Sequence, residues 1–251
     1  MGNILTRLFE LLPEYSYKQR LREFLAFSPL VPKSIQDLSP IKGYEMYKKL
    51  QPGDIVVDAG AYPGDYTIYA ARKVGSTGYV IAFEPDAKNR RVLERNIKAF
   101  KLKNVIIVPK GLYDRNGTLR LESDGLHSTE NKQGEFIEVC RLDDELKEMR
   151  ISKVDVIKMD IEGAEVKAIL GGAIETIRNN NVYCAIAAYH PWDVCPILMT
   201  AVPLHLFFTR EGYTAKPDYP KHTTLFAWKN GITDLSLESC NEDLNSSYIL
   251  K

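Results

Sequence analysis

Three acidic residues, each placed where an apolar run ends, carry the chemistry legible in this chain. The first is Asp58 in "VVDAGAYPGDYT", followed by Gly60 and Gly64. The second is Glu84 in "YVIAFEP", 26 residues after Asp58. The third is Asp160 in "VDVIKMDIEGAE". Glycine at 60 permits a tight turn and a close backbone approach, and Gly64 opens the next helix without a side chain in the way. A carboxylate at the end of the second strand accepts the two hydroxyls of a ribose. The pattern therefore describes a nucleoside ligand, its ribose on Glu84 and the rest over the glycine turn.

Two cofactor classes compete for that site. A dinucleotide calls for G-x-G-x-x-G after the first strand, whereas this chain has Asp58-x-Gly60-x-x-x-Gly64. An acid beside a pyrophosphate is repelled, and beside an amine it is attracted. The expectation is S-adenosyl-L-methionine, with an NAD-dependent Rossmann oxidoreductase as the alternative. A plainer reading makes Asp58 a helix cap and Glu84 an exposed strand end.

The elements that must hold these residues follow from periodicity. From Gly53, short apolar runs alternate with helical patterns: "DIVVDAG", "DYTIYAARKVG", "YVIAFEP", "AKNRRVLERNIKAFKL", "NVIIVPKGLY". Such alternation predicts a doubly wound parallel sheet with right-handed crossovers. "GTLRLES" and "EFIEVCRL" read as an antiparallel excursion around the polar stretch "DGLHSTENKQGE". "VDVIKMD", a helical "EGAEVKAILGGAIETIRNN" and "VYCAIAAYH" resume the order. A helical stretch is expected near 196–211, then a terminal strand pair, "YTAKP" and "TTLFAWK". The domain reading is a helical cap over 1–50, an α/β domain over 51–235 and a tail over 236–251.

Bulk properties exclude several classes. Lysine plus arginine and aspartate plus glutamate each number 33, so the formal net charge is zero. A general polyanion binder needs a basic excess, and no nucleic-acid partner is expected. Cys140, Cys184, Cys195 and Cys240 lie far apart, without metal spacing or a disulfide framework. With no apolar run near the ~20 residues of a membrane span, a cytoplasmic location is the expectation. "MGNILT" matches the N-myristoylation pattern at Gly2 and Thr6.

The stretch from "PGDIVVDAGAYPGDYTIYAARKVGSTGYVIAFEPDAKNRRVLERNI" to "VDVIKMDIEGAE" closely resembles the FkbM family of S-adenosylmethionine-dependent methyltransferases, over roughly residues 43–193. The resemblance implies a class I methyltransferase (Rossmann-like) α/β fold, a seven-stranded mostly parallel sheet with an antiparallel last strand. It also implies methylation of hydroxyls on a sugar, lipid or natural product. Carried over by position, Asp58, Gly60, Ala61 and Tyr62 would face the methionyl part, and Glu84 the ribose. Pro85 and Asp86 would line the adenosine edge, with Gly111, Leu112 and Tyr113 near the adenine. Asp160 would sit near the transferred methyl, with Glu162 and Glu165 opening the next helix. Glu45, in "GYEMYKKL", matches a position the family keeps acidic. Tyr62 stands where the family usually has Asn, so a catalytically inactive relative is a further alternative.

Methyl transfer is an in-line displacement that gains from alignment, and an alcohol must also lose its proton. Candidate bases are Asp160, His190 and His127; Lys158 shares Asp160's strand face and could pair with it. Each has a structural reading: helix cap for Asp160, core residue for His190, solvated loop for His127. Asp160, Glu162 and His190 could also hold a divalent ion, but nothing in their spacing demands one, and no metal is expected. Tyr44, Tyr47, Tyr62, Tyr189 and Trp192 are candidate stacking surfaces for the acceptor.

Overall fold

The computed structural model describes residues 40–121, 135–219 and 222–229. The cap over 1–39, the loop carrying His127, the tail over 236–251, Cys240 and the MGNILT motif lie outside the described residues. Of the expected helical cap, a 3-10 turn at Pro40–Glu45 is described.

Seven strands form the main sheet: β1 Ile55–Ala59, β2 Tyr79–Phe83, β3 Val105–Val108, β7 Val156–Met159, β8 Tyr183–Ala187, β11 Thr214–Asp218 and β12 Thr224–Trp228. Their order is β11-β12-β8-β7-β1-β2-β3. β3, β2, β1, β7 and β8 run parallel, and β12 is antiparallel to both β8 and β11. This is the expected sheet, reversed once, at its last strand. β4 Gly111–Leu112, β5 Gly117–Leu121 and β6 Glu135–Cys140 make a separate sheet, with the expected antiparallel pairing between β5 and β6.

The central strands are apolar on both faces because helices cover both. Val57, Ile81, Ile157 and Ile186 point into one core, Val56, Val80, Val156 and Ala185 into the other. Alternation then decides which core each charged strand residue meets. In register with one another, Asp58 and Lys158 fall on the side of Val56 and Val156, where α1 (Asp65–Val74) packs Tyr66 and Ala70.

α2 (Ala87–Ala99) is capped by Asp86, whose carboxylate accepts from Lys88 N and Asn89 N at 2.8 Å each. α3 (Leu142–Glu148) precedes β7, and the segment after β7 forms two helices, α4 (Glu165–Gly172) and α5 (Ile174–Asn179). The first ends where Gly172 passes so close to Tyr113 that a Cβ would lie 2.2 Å from its carbonyl oxygen.

One expectation is corrected. Cys195–Met199 is not helical; it forms β10, paired with β9 (Pro191–Trp192), and α6 starts later, at Ala201–Arg210. "CPILM" is too short for its apolar spacing to separate a strand from a helix. Among the described residues, no helix is long and apolar enough to cross a membrane.

Candidate active site

The turn after β1 is a closed structure. Gly60 has φ +74°, and a Cβ there would sit 1.9 Å from the Asp160 carbonyl oxygen, so the turn lies directly on the end of β7. Only glycine allows both the conformation and the contact. Gly60 N and Ala61 N both donate to Phe83 O at 3.1 Å, and Tyr62 N donates to Glu84 Oε2 at 3.2 Å. The following residue, Pro63, has no N–H. The expectation that these amides face a ligand is therefore corrected: they tie the turn to the end of β2. Gly64, with φ +101°, packs against Leu93 of α2.

Beneath the turn lies an ion pair. Asp58 is fully buried; its Oδ1 is 3.0 Å from Lys158 Nζ and its Oδ2 accepts from Thr67 Oγ1 at 2.5 Å. Lys158 also donates to Gly60 O at 2.9 Å. Burial works against the ammonium, but Asp58, with smaller help from Tyr44 and Asp160, keeps Lys158 charged far past neutrality. Two expectations change here. Lys158 pairs with Asp58, across the β1–β7 register, and not with Asp160, so it is a fixed strut with no proton to exchange. Asp58 has its charge neutralised below the turn and does not share an opening with Glu84.

Glu84 is the acid left at the edge of the turn, itself 5% exposed. Besides Tyr62 N it accepts from Asp86 N at 3.0 Å through Oε1. The Asn89 side chain also hydrogen-bonds to the carboxylate, and since a carboxylate offers about four acceptor sites, capacity for a ribose hydroxyl remains. Burial raises its pKa to about 6 against the pull of those two N–H groups. Pro85, Asp86, Arg90, Pro109 and Phe136 line a groove of about 260 Å³ beside it. The adenine-side expectations at 111–113 are corrected in part. Gly111 packs on Pro85, but the Leu112 and Tyr113 side chains are 2% exposed. Leu112 joins the main core, and Tyr113 packs with Ile137, Val139 and Ala164 under the small sheet. Glu45 is buried beside α1, where desolvation raises its pKa against Lys49 and a hydrogen bond from Tyr69.

A second acidic group closes β7. Asp160 Oδ2 lies 4.0 Å from His222 Nε2, and Oδ1 is buried with no hydrogen-bond partner among the described residues. Burial raises its pKa; Lys158 pulls it down, Glu165 pushes it up, and His222 and Glu162 add smaller opposing effects. His190 Nε2 is 3.4 Å from Glu162 Oε2 and its Nδ1 is 3.3 Å from Glu165 Oε1. Burial disfavours its charge, but the two carboxylates outweigh that and raise it to about 10. Held in this way His190 keeps its proton at neutral pH, which takes it out of the role of general base.

Reasoning from sequence missed His222. It precedes β12, and the antiparallel pairing of Thr224 with Ala187 carries it over the ends of β7 and β8. Its ring meets Tyr189 at 4.7 Å and Tyr44 at 6.3 Å, and Tyr44 OH is 3.4 Å from Nε2. The only signal was a histidine between a proline-containing loop and "TTLFAW". Of the expected stacking residues, Tyr44 and Tyr189 reach this histidine. Tyr47 instead stacks on Trp228 at 4.7 Å in the core, and Trp192 packs against the opposite core.

A model of the methyltransferase FkbM domain matches residues 58–214. Among solved structures, cofactor-bound Rv0187 from MTB is similar at TM-score 0.54 and 16% identity, covering 91% of this chain and 98% of that one. A methyltransferase from Geobacter sulfurreducens reaches 0.48 at 15% identity, over 91% and 98% of the two chains. An S-adenosylmethionine-dependent O-methyltransferase from Thermotoga maritima reaches 0.45 at 16%, over 80% and 66%. No curated protein sequence matches. At such identities the structural likeness concerns the fold, and the family match covers well over half of the chain. The chain belongs to the FkbM methyltransferase domain family.

Proposed function

We propose that the chain is an S-adenosylmethionine-dependent methyltransferase that methylates a hydroxyl of a small acceptor such as a sugar, lipid or natural product. The observation that carries the cofactor assignment is the state of the turn. Its N–H groups at 60, 61 and 62 are already bonded, and the charge at its edge is the Glu84 carboxylate. A pyrophosphate would meet that carboxylate, find the amides at 60–62 taken, and find the neighbouring Arg90 already bonded to the Glu84 and Pro85 carbonyls, against the needs of a dinucleotide. A phosphate-free nucleoside needs only acceptors for its ribose, and Glu84 retains them.

Bound here, S-adenosylmethionine supplies a methyl on a cationic sulfur. The chain's own part is to align the acceptor and take its proton. Asp160 fits the second role: it closes β7 against the glycine turn, has an unpartnered buried oxygen, and burial makes it a stronger base than an ordinary aspartate. The cofactor would give its methyl to the acceptor oxygen, its sulfur keeping the bonding pair, and Asp160 would take the hydroxyl proton. His222 faces the carboxylate from the opposite wall, and Tyr44 and Tyr189 offer rings to the acceptor. The zero net charge favours a small acceptor over a polynucleotide.

The test is transfer of a labelled methyl from S-adenosylmethionine to fractionated hydroxylated extracts, followed by alkali. Label in an alkali-stable ether supports the reading. Label released as methanol, which marks an ester, or label found in RNA, contradicts it.

A further inference from the structure

We propose that Asp160, Glu162 and His190 form a divalent-cation site beyond the ends of β7 and β8, suited to an ion such as Mn²⁺. One donor atom from each lies within 4.8 Å of the others. Ligands about 2.1 Å from an octahedral ion are separated by roughly 3 Å when adjacent and roughly 4.2 Å when opposed. The separation of 3.4 Å between Glu162 Oε2 and His190 Nε2 falls in that range. Two carboxylates with one imidazole form a donor set of intermediate hardness, which suits Mn²⁺.

A buried group points to an ion independently. Glu165 is wholly buried, and its Oε2 has no hydrogen-bond partner among the described residues. Its Oε1 accepts from Ile161 N at 3.0 Å and faces His190 Nδ1 at 3.3 Å. A buried carboxylate against one ring nitrogen is how ligating histidines are oriented, the other nitrogen being turned to the metal. Here that other nitrogen, Nε2, faces Glu162. Charge balance agrees: three carboxylates face His190 and, at 4.0 Å from Asp160, His222, while the nearby ammonium, Lys158, is committed to Asp58 and Gly60 O. A divalent ion takes the place of the proton that otherwise binds the ring to these acids.

Three protein donors leave about three positions on a six-coordinate ion for water or another oxygen. Under the methyltransferase reading these would take the acceptor hydroxyl; the ion site itself does not depend on that reading.

The experiment is a titration of the metal-stripped full chain with Mn²⁺, following the free-ion paramagnetic resonance signal, with S-adenosylhomocysteine binding measured on the same samples. One ion per chain is expected, with affinity about 10-fold weaker or worse in Glu162→Gln and in His190→Gln. Glu135→Gln, an exposed acid paired with Lys88 outside the cluster, should bind as the parent does. Glu162 has a side chain 69% exposed, so its variant tests the site even if His190→Gln does not fold. Absence of saturable Mn²⁺ binding overturns the site, as does undiminished binding in a folded Glu162→Gln. Absence of S-adenosylhomocysteine binding with Mn²⁺ binding intact would instead count against the cofactor reading alone.

Discussion

Asp58 and Asp160 close adjacent parallel strands on the same face of the sheet, yet they live in opposite electrostatic conditions. Asp58 is fully buried with a lysine on one oxygen and a threonine hydroxyl on the other. Asp160 has one buried oxygen without a partner, two glutamates nearby, and a histidine at 4.0 Å. What separates them is where the cation stands. Lys158 comes from Asp160's own strand, but the β1–β7 register sets it opposite Asp58. One acid becomes a foundation for the turn, and the other is left with basicity to use.

That contrast is broken most forcefully at the foundation. Lys158→Met leaves the Asp58 charge buried and uncompensated, and should cost about 3–5 kcal/mol in denaturant unfolding. Adding Asp58→Leu should recover much of that loss, since an apolar pair of similar volume replaces buried ions well. A Lys158→Met protein as stable as the parent would mean the pair supports nothing.

At the working acid the expectation reverses. Asp160→Asn should change the melting temperature little but lower turnover about 100-fold, the contribution of a positioned base. Cofactor binding that survives while turnover falls would sharpen the division of labour. Equal loss of stability in Asp160→Asn and Lys158→Met would erase it.

Glu84 lies between these extremes, bonded by two backbone N–H groups and the Asn89 side chain yet keeping acceptor capacity. Glu84→Ala should weaken S-adenosylhomocysteine binding by about 2 kcal/mol, near 30-fold, the value of hydrogen bonds to a charged group. The smallest effect is that of pH. Burial raises the Glu84 pKa to about 6, so S-adenosylhomocysteine affinity should be full above that pH. It should fall as pH drops through 6, because protonation removes an acceptor. Calorimetry across pH 5–8 checks this, with Glu84→Ala expected to lose the dependence.

Much of this arrangement was legible because it is local. The strand–turn–helix of 55–74 and the acid ending β2 are written in consecutive residues, and the parallel order follows from alternating runs. The partner of Lys158 was not legible. Both Asp58 and Asp160 were compatible with it, and the choice depends on the register of strands 100 residues apart. His222 was missed for the same reason, since only the antiparallel pairing of β12 brings it over Asp160. Leu112 is buried by the main core and Tyr113 by the small sheet that covers it, which no pattern within "GLY" announces. "CPILM" failed differently: five residues do not hold enough period to name their element.

The account rests on a turn that accepts a ribose and rejects a pyrophosphate. Calorimetric titration of the full chain with S-adenosylhomocysteine and, separately, with NAD tests it most directly. The account predicts one S-adenosylhomocysteine bound per chain and no measurable heat with NAD. Saturable NAD binding with none for S-adenosylhomocysteine would contradict it.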